Sequence, residues 1–430
     1  MKTHMRFLAV FSALIMLLSC VGCSAETETA EAKEKLVVWV HSQQTAELMS
    51  GVFLSDNPGI EWELDIKAVD PGNLYDEYLE AESEGKLPDV ILLSPDNLGK
   101  FLDSGKLADL TVSGLEPDSE RYYSYAYNMG FDSSNVLRAM CWQADPTLFF
   151  YRRSIAKYYF GTDEPAEIEK KLSTTDSFME TARALKDSSG GKTKIVAGTQ
   201  DLLNVYLSAD TNGWTDDSGS LIIGSTAESF LDLAAQMEKE DLTWGAEQYS
   251  QAWLSGISDG QSVFGYFTSG IGLDSILKKA CGGSVSGEGT FGDWAAVPGF
   301  SGCNLGGCWM AMSETSTHKD EALYFISYFT CETEAMKKYF LASGDFCANS
   351  IVSEQIQYDP QFTESFLGGQ NYYSLLTESA ERIPVKKIGK YDSMINAAFS
   401  DCVQAYSQEY KSREQAIEDF RTTVNQIIAQ

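Results

Sequence analysis

From residue 36 onward the chain alternates short apolar runs with amphipathic stretches. No other feature restricts its fold so strongly. Leu36-Val37-Val38-Trp39-Val40 is a continuous apolar run of strand length. Glu47 to Leu54 is a helical stretch, Ile60 to Ile66 alternates as a strand, and Leu74 to Glu84 is again helical. Asp89-Val90-Ile91-Leu92-Leu93 supplies a third strand. Strand, helix, strand, helix predicts α/β architecture: a mostly parallel sheet with helices on both faces. Further on, Ser412 and Gln415 form a capping-box pattern ahead of Ile417, Phe420, Val424 and Ile427. Ser225 or Thr226 is placed to cap a helix carrying Phe230, Leu233, Ala234 and Met237 on one face. These stripes read as core-facing surfaces.

Ahead of the first strand lies a segment of another kind. Lys2 and Arg6 precede an apolar run from Phe7 to Leu18, followed by Ser19-Cys20. A basic start, a short apolar core and a small residue before the cut make a signal peptide over 1–19. The run is too short for the roughly 20 residues of a membrane-spanning helix. Leu17-Leu18-Ser19-Cys20 looks like a lipobox, with Cys20 as the lipidated residue and Cys23, after Val21-Gly22, as the alternative. The expectation is an exported protein held to the outer face of the cell membrane by acyl chains. Residues 20–35, polar and without aromatics, read as a disordered tether.

Removing residues 1–19 leaves about 411 residues, too many for one compact core, so two domains are expected. It also removes Lys2 and Arg6, leaving 30 basic against 62 acidic residues. A net charge near −32 repels phosphate backbones and argues against a nucleic-acid partner. Outside the signal segment the histidines are His41 and His318, which argues against a His-rich metal site. No cofactor is called for. The nine cysteines show no CxxC…CxxC pair, which argues against a zinc ribbon. Cys303 and Cys308 either close a short loop or are two unbridged thiols.

In open parallel sheets, ligands bind beyond the carboxyl ends of the strands. That rule selects Trp39, His41, Ser42, Gln43 and Gln44 after the first strand, and Ser94, Pro95, Asp96 and Asn97 after the third. Amides that both donate and accept suit hydroxyl groups. Each choice has a plainer reading beside it. Asp96 also suits a helix cap, Asp145 before Pro146 a turn, and His41 a polar loop. Trp39, Trp142 and Trp309 also suit the core. Tyr266 and Phe267 are neighbours on one strand, so only one of them is expected to face a cleft. Arg152 and Arg153 read as ion-pair residues, or one of them reads an acidic sugar.

Several blocks in this order resemble the bacterial extracellular solute-binding proteins of family 1, the maltose-binding-protein-like carbohydrate receptors of ABC importers. They are Phe53 with Asn57-Pro58-Gly59-Ile60; Gly85-Lys86-Leu87-Pro88-Asp89-Val90 followed by Gly105-Lys106-Leu107-Ala108-Asp109-Leu110; and Thr147-Leu148-Phe149-Phe150-Tyr151. Asn212-Gly213-Trp214-Thr215-Asp216-Asp217, Gly306-Gly307-Cys308-Trp309-Met310-Ala311 and His318-Lys319-Asp320-Glu321-Ala322 complete the set. The resemblance implies a two-lobed, type II periplasmic-binding-protein-like fold. Lobe 1 would be 36–141 with 300–333, lobe 2 would be 142–299 with 334–430, and the ligand cleft would lie between them. It implies a site built from Trp39, Gln43, Gln44, Asp96, Asn97, Trp142, Asp145, Trp214, Tyr266, Phe267, Trp309, Tyr391 and Asp392. It implies a carbohydrate ligand, an ABC permease as partner, and a non-catalytic monomer that closes on its ligand.

Two departures stand out. Tyr151 is followed by Arg152-Arg153 where the family usually has Asn, and Gly260 to Ile271 lacks the usual tryptophan. The same fold carrying a polyamine, a peptide or an acidic solute is therefore the runner-up. A surface hydrolase is the more distant one. Gly256-Ile257-Ser258-Asp259-Gly260 matches G-x-S-x-G, but the elbow needs strand, turn, helix, and here the predicted order is helix, turn, strand.

Overall fold

The computed structural model describes residues 34–429 except 217 and 387. The signal segment, Cys20, Cys23 and the tether up to residue 33 lie outside the described residues. The molecule has two lobes, each built on its own sheet.

The first sheet has six strands in the order β2-β1-β3-β8-β4-β9. They are β1 (Lys35–Val40), β2 (Glu63–Ala68), β3 (Val90–Leu93), β4 (Ala139–Ala144), β8 (Cys308–Met312) and β9 (Phe346–Cys347). β1 lies parallel to β2 and β3, while β8 runs antiparallel to both β3 and β4. β1, β3 and β8 are apolar because they occupy the middle of the sheet. β2 stands at an edge, and its alternating half-buried pattern matches its alternating sequence. The carboxylate of Asp89 accepts from the Val37 amide (2.9 Å) and the Ser316 hydroxyl (2.6 Å) and lies 3.3 Å from His318. A buried carboxyl is tolerated there because its oxygens are hydrogen-bonded.

The second sheet contains β5 (Thr147–Arg152), β6 (Gly265–Ser269) and β7 (Trp294–Val297) in the order β6-β5-β7. Both pairings are antiparallel, not parallel as the strand–helix alternation of the first hundred residues suggests. The crossing explains the β5–β7 pair. β5 carries the chain out of lobe 1 and β7 carries it back, so these neighbours run in opposite directions. The two crossings are bonded to each other: Thr147 N donates to Cys303 O (2.9 Å), Asp145 N to the Asn304 side-chain oxygen (3.0 Å), and Leu305 N to Asp145 O (3.1 Å).

The lobe boundaries also differ from the expected ones. β4 continues to Ala144, so Trp142 belongs to lobe 1. Residues 334–347 stay with lobe 1 as well: helix Thr333–Ser343 packs on helix Gln43–Asp56, and β9 pairs with β4. The chain is back on lobe 2 from Ser365–Leu367, which packs on β7, and Gln370, whose side chain bonds Ala296 N and O (2.8 Å each); helix Tyr373–Glu381 then packs on β5, with the Ser379 hydroxyl donating to Thr147 O (2.7 Å). Helices Asp392–Ser407 and Arg413–Ile428 then pack against each other, and Asp392–Ser407 lies on Ser225–Lys239. The Ser412–Gln415 capping box is present; helix Ser225–Lys239 is instead capped by Gly224. Among the described residues no helix is long and apolar enough to cross a membrane.

Candidate functional site

A cavity of about 370 Å³ opens between the lobes, a size within the range of small-molecule sites. Lobe 1 contributes Asp96 and Tyr125, lobe 2 contributes Asn204 and Asn396, and Asn304 comes from the second crossing. Ile383, Pro384, Lys386, Ile388, Gly389 and Lys390 add a further wall.

Each of these side chains is positioned by local chemistry. Helix Pro95–Leu102 starts directly after β3, and Pro95 suits its first turn. Asn97 turns inward, donating to Pro71 O (2.7 Å) and Ser94 Oγ (3.2 Å), which leaves Asp96 exposed on the cavity side. A carboxylate in a first helical turn is favoured by the helix dipole. Tyr125, on the short helix Ser124–Asn128, is buried and stacked 6.2 Å from Tyr123. Its hydroxyl has no hydrogen-bond partner, and burial pushes its pKa well above the usual phenol range. Ser208, four residues beyond Asn204 on helix Gln200–Ser208, hydrogen-bonds to the Cys303 thiol (3.0 Å).

Asn396 is fixed from behind. The Trp214 indole N–H donates to its side-chain oxygen at 2.7 Å, which fixes the amide and leaves its N–H groups and one oxygen lone pair for a ligand. Asp392, one helical turn earlier, accepts from the Gly389 amide (3.0 Å). Burial raises its pKa, with nearby Lys386 pulling it back down. Gly99 lets the 383–391 loop sit directly on helix Pro95–Leu102. A β-carbon there would lie 2.7 Å from Gly389 O and 2.9 Å from Ile388. Burial raises the Asp145 carboxyl to about 7; the Ser269 side chain and the Ile271 backbone oppose this by hydrogen bonding, and Asp345 reinforces it. Asp345 is itself raised to about 6, again mainly by burial.

Among the residues singled out from sequence, Pro95, Asp96 and Asp392 line the cavity. Asp145 lies at the crossing beside it, and Tyr391 lies next to Asp392 with the Lys390 amine 4.7 Å above its ring. Gln43 and Gln44 are exposed at the start of helix Gln43–Asp56, outside the cavity wall, and Gln43 bonds Glu47 (3.0 Å).

The aromatic candidates sit elsewhere. Trp309 is fully buried with its indole N–H on Ala126 O (2.8 Å). Trp142 packs against Tyr339 and Phe340. Trp39 is buried on a central strand beside the Lys67 amine (5.0 Å). Trp214 packs on Phe399 and Phe420 and reaches the cavity only through Asn396. Tyr266 bonds Trp253 O (3.2 Å), and Phe267 packs on Phe149. The expectation that one of these two faces a cleft fails because apolar side chains cover both faces of β6. A flat apolar ring gains more from such a core than from an open cleft.

Arg152 forms a pair with Asp293 (2.8 Å), and Arg153 donates to Trp294 O (3.0 Å) and lies 3.7 Å from Asp163, so both are spent inside lobe 2. Ser258 ends helix Gln251–Ser258 ahead of β6, so the G-x-S-x-G stretch has helix before strand. All seven described cysteines are free, Cys303 and Cys308 included. Among the described residues no group of three or more His, Cys, Asp or Glu side chains is arranged to hold a metal ion.

The sequence reading missed Tyr125, Asn204, Asn304, Lys386 and Asn396. Two carried a signal: Asn396 repeats Asp392 at i+4, and Asn204 stands at i−4 from Ser208, so each pair shares a helix face. Nothing local marks Tyr125 or Lys386.

The family model described as bacterial extracellular solute-binding protein matches residues 53–364. Among solved structures, one titled extracellular solute-binding protein family 1 is similar at TM-score 0.81 and 15% identity, covering 92% of this chain and 100% of that one. The sugar-binding protein MalE of Xanthomonas citri is similar at TM-score 0.74 and 16% identity, covering 92% and 97%. The galacto-N-biose/lacto-N-biose I-binding protein of an ABC transporter of Bifidobacterium longum, in complex with lacto-N-biose, is similar at 0.70 and 15%, covering 93% and 98%. At these identities the likeness is one of fold. A search of curated protein sequences finds no match.

Proposed function

This chain belongs to the bacterial extracellular solute-binding proteins, and from that premise we propose that it is the carbohydrate receptor of an ABC importer. One observation carries the reading. The interlobe cavity presents carboxylates and amides from both lobes and from the crossing, namely Asp96, Asn204, Asn304, Asp392 and Asn396. Such groups bond the hydroxyls of a sugar in several directions at once, and a site built this way rejects analogues lacking them. Contacts from both lobes are made together only when the lobes are closed, so the ligand favours the closed form. That form is the one presented to the permease. The sequence supports a lipid anchor at Cys20, or at Cys23, on the outer face of the cell membrane, with the chain acting as a monomer without a cofactor.

The cavity binds through polar groups and the single ring of Tyr125, in place of the tryptophan platform expected from sequence. Asp145 belongs to the proposed site through the crossing; Gln43, Gln44 and the core aromatics do not.

The test is a thermal-shift and calorimetric screen of mono-, di- and trisaccharides with chromatography of the recovered ligand. A binding saccharide at 100 times its dissociation constant raises stability by about 2.7 kcal/mol. Saturable binding with unchanged ligand supports the receptor. Release of smaller sugars, or binding confined to polyamines or peptides, refutes it.

A further inference from the structure

One ring of lobe 2 is carried on a backbone that its own bulk disfavours. Tyr249 has φ 62°. Among the described residues it is the only aromatic with positive φ, and a bulky side chain in that region is a backbone outlier. Such strain persists where the surroundings impose it, and it collects at ligand sites. Here the Gln248 amide donates to Gln200 Oε1 (3.2 Å) on one side, and Ser250 caps helix Gln251–Ser258 on the other. The Tyr249 ring lies 5.3 Å from that of Trp253, whose buried indole N–H is anchored on Asp201 (2.8 Å). The ring is thus backed by a fixed indole, yet the residue is 58% exposed. Burial still raises its phenol pKa, and the charges of Asp201 and of Asp145 at the crossing raise it further. A ring that is both exposed and partly desolvated stands in a concavity.

That concavity is a groove of about 400 Å³. Its walls are helix Gln251–Ser258 and the stretch Gly270–Ala280, which follows β6 and contains a single π turn at Leu273–Leu277. Such turns inside helices recur at functional sites. Leu254 and Ile276 supply apolar area beside Tyr249, and Gln251, Ser255 and Ser275 supply amide and hydroxyl groups. Among the described residues no carboxylate lines it, which makes it a poor seat for a polyamine. Groove and interlobe cavity share one support. Helix Gln200–Ser208 holds Gln248 and Trp253 through Gln200 and Asp201 at its start, and lines the cavity with Asn204 and Ser208. Asn204 stands one turn from Gln200, about 6 Å along the axis.

We propose that this groove is a second saccharide subsite, in which one sugar ring of a chain seated in the interlobe cavity lies on Tyr249 with its hydroxyls toward Gln251 and Ser255. This rests on the carbohydrate reading above and adds the length of the ligand, an oligosaccharide that spans both places. A flat ring with aliphatic groups beside it matches the C–H face of a pyranose, and the amide and hydroxyls match its edges. The constrained backbone of Tyr249 fixes the ring before the ligand arrives, which lowers the ordering cost of binding.

The test is calorimetric titration of the purified chain with cello-, malto-, xylo- and galacto-oligosaccharides, from di- to pentasaccharide. In a series that binds, the tetrasaccharide is expected to bind about tenfold or more tightly than the disaccharide. Tyr249→Gly removes the ring and suits the positive φ, so the fold is retained. It brings the two affinities to within about threefold by weakening the longer chain alone. Tyr249→Phe keeps the ring and with it the preference for length. A disaccharide that binds as tightly as the longer chains, or a length preference that Tyr249→Gly leaves intact, overturns the inference and leaves the carbohydrate reading standing. No binding by any member of the four series overturns the carbohydrate reading, and this inference with it.

Discussion

Replacing Asp145 by asparagine should change how the stability of the empty protein depends on pH. The residue follows β4 at the first crossing and is 7% exposed. Its carboxyl sits at about 7 in the fold against an ordinary 3.8, chiefly because burial disfavours the charged form. Between those values the unfolded chain has released the proton while the folded protein still holds it. The unfolded state therefore binds fewer protons, and stability falls as pH rises from about 4 to about 7. Roughly three pH units at ~1.4 kcal/mol each give a ceiling of ~4 kcal/mol. Coupling to Asp345, which titrates at about 6, and relaxation of the cleft reduce this to about 2–3 kcal/mol. Asparagine is neutral throughout and removes this component. Urea unfolding of the wild type and of Asp145→Asn, at intervals from pH 4.5 to 7.5, reads the effect. The variant should gain about 2–3 kcal/mol on the wild type across that range. Parallel profiles, or a gap that closes as pH rises, would refute the assignment of a buried, uncharged carboxyl at the crossing.

Other consequences are as direct. Gly99→Ala places a methyl 2.7 Å from Gly389 O, so the 383–391 loop must lift off helix Pro95–Leu102; ligand affinity falls at least tenfold in calorimetry while the far-UV spectrum is retained. Trp309→Ala removes a fully buried indole and its bond to Ala126 O, costing about 3–5 kcal/mol in denaturant unfolding, and any folded fraction binds ligand with unaltered affinity. Trp214→Phe keeps most of the packing on Phe399 and Phe420 but frees the Asn396 amide, so binding weakens by more than the loss of stability would suggest. Alkylation in denaturant without reductant modifies all seven cysteines between residues 141 and 402, read by intact mass; a missing pair of adducts identifies a disulfide.

What could be read before the structure follows the physics of each element. The apolar runs of β1 and β3 announced themselves because both faces of a central strand are covered, and Ser412 with Gln415 announced a helix start because the capping geometry is local. The sense of the second sheet was not legible, since pairing direction depends on where the chain crosses between lobes. The lobe boundary at 334 failed for a related reason: β9 has two residues, and only its partner β4 makes it a strand.

At the cavity, Asp96 and Asp392 were found because each starts a helix at a strand or loop end, where polar side chains meet solvent. The tryptophans misled because an indole serves a core as well as a sugar face, and composition does not separate the two. Tyr125 and Lys386 lie on a one-turn helix and an irregular loop, and their roles arise from packing against segments about 80 to 290 residues away in sequence.

The placement of β8 has a consequence for how the protein is made. This strand lies between β3 and β4 in the sheet, yet it comes after the whole of β5, β6 and β7 in the chain. A polypeptide emerging N-terminus first therefore holds the β2-β1-β3 group and β4 unjoined until residue 312 is available. Such a chain stays open through most of its synthesis, which suits passage through a narrow secretion pore. The same delay leaves strand edges bare, so refolding from denaturant should be slow and prone to association at high concentration.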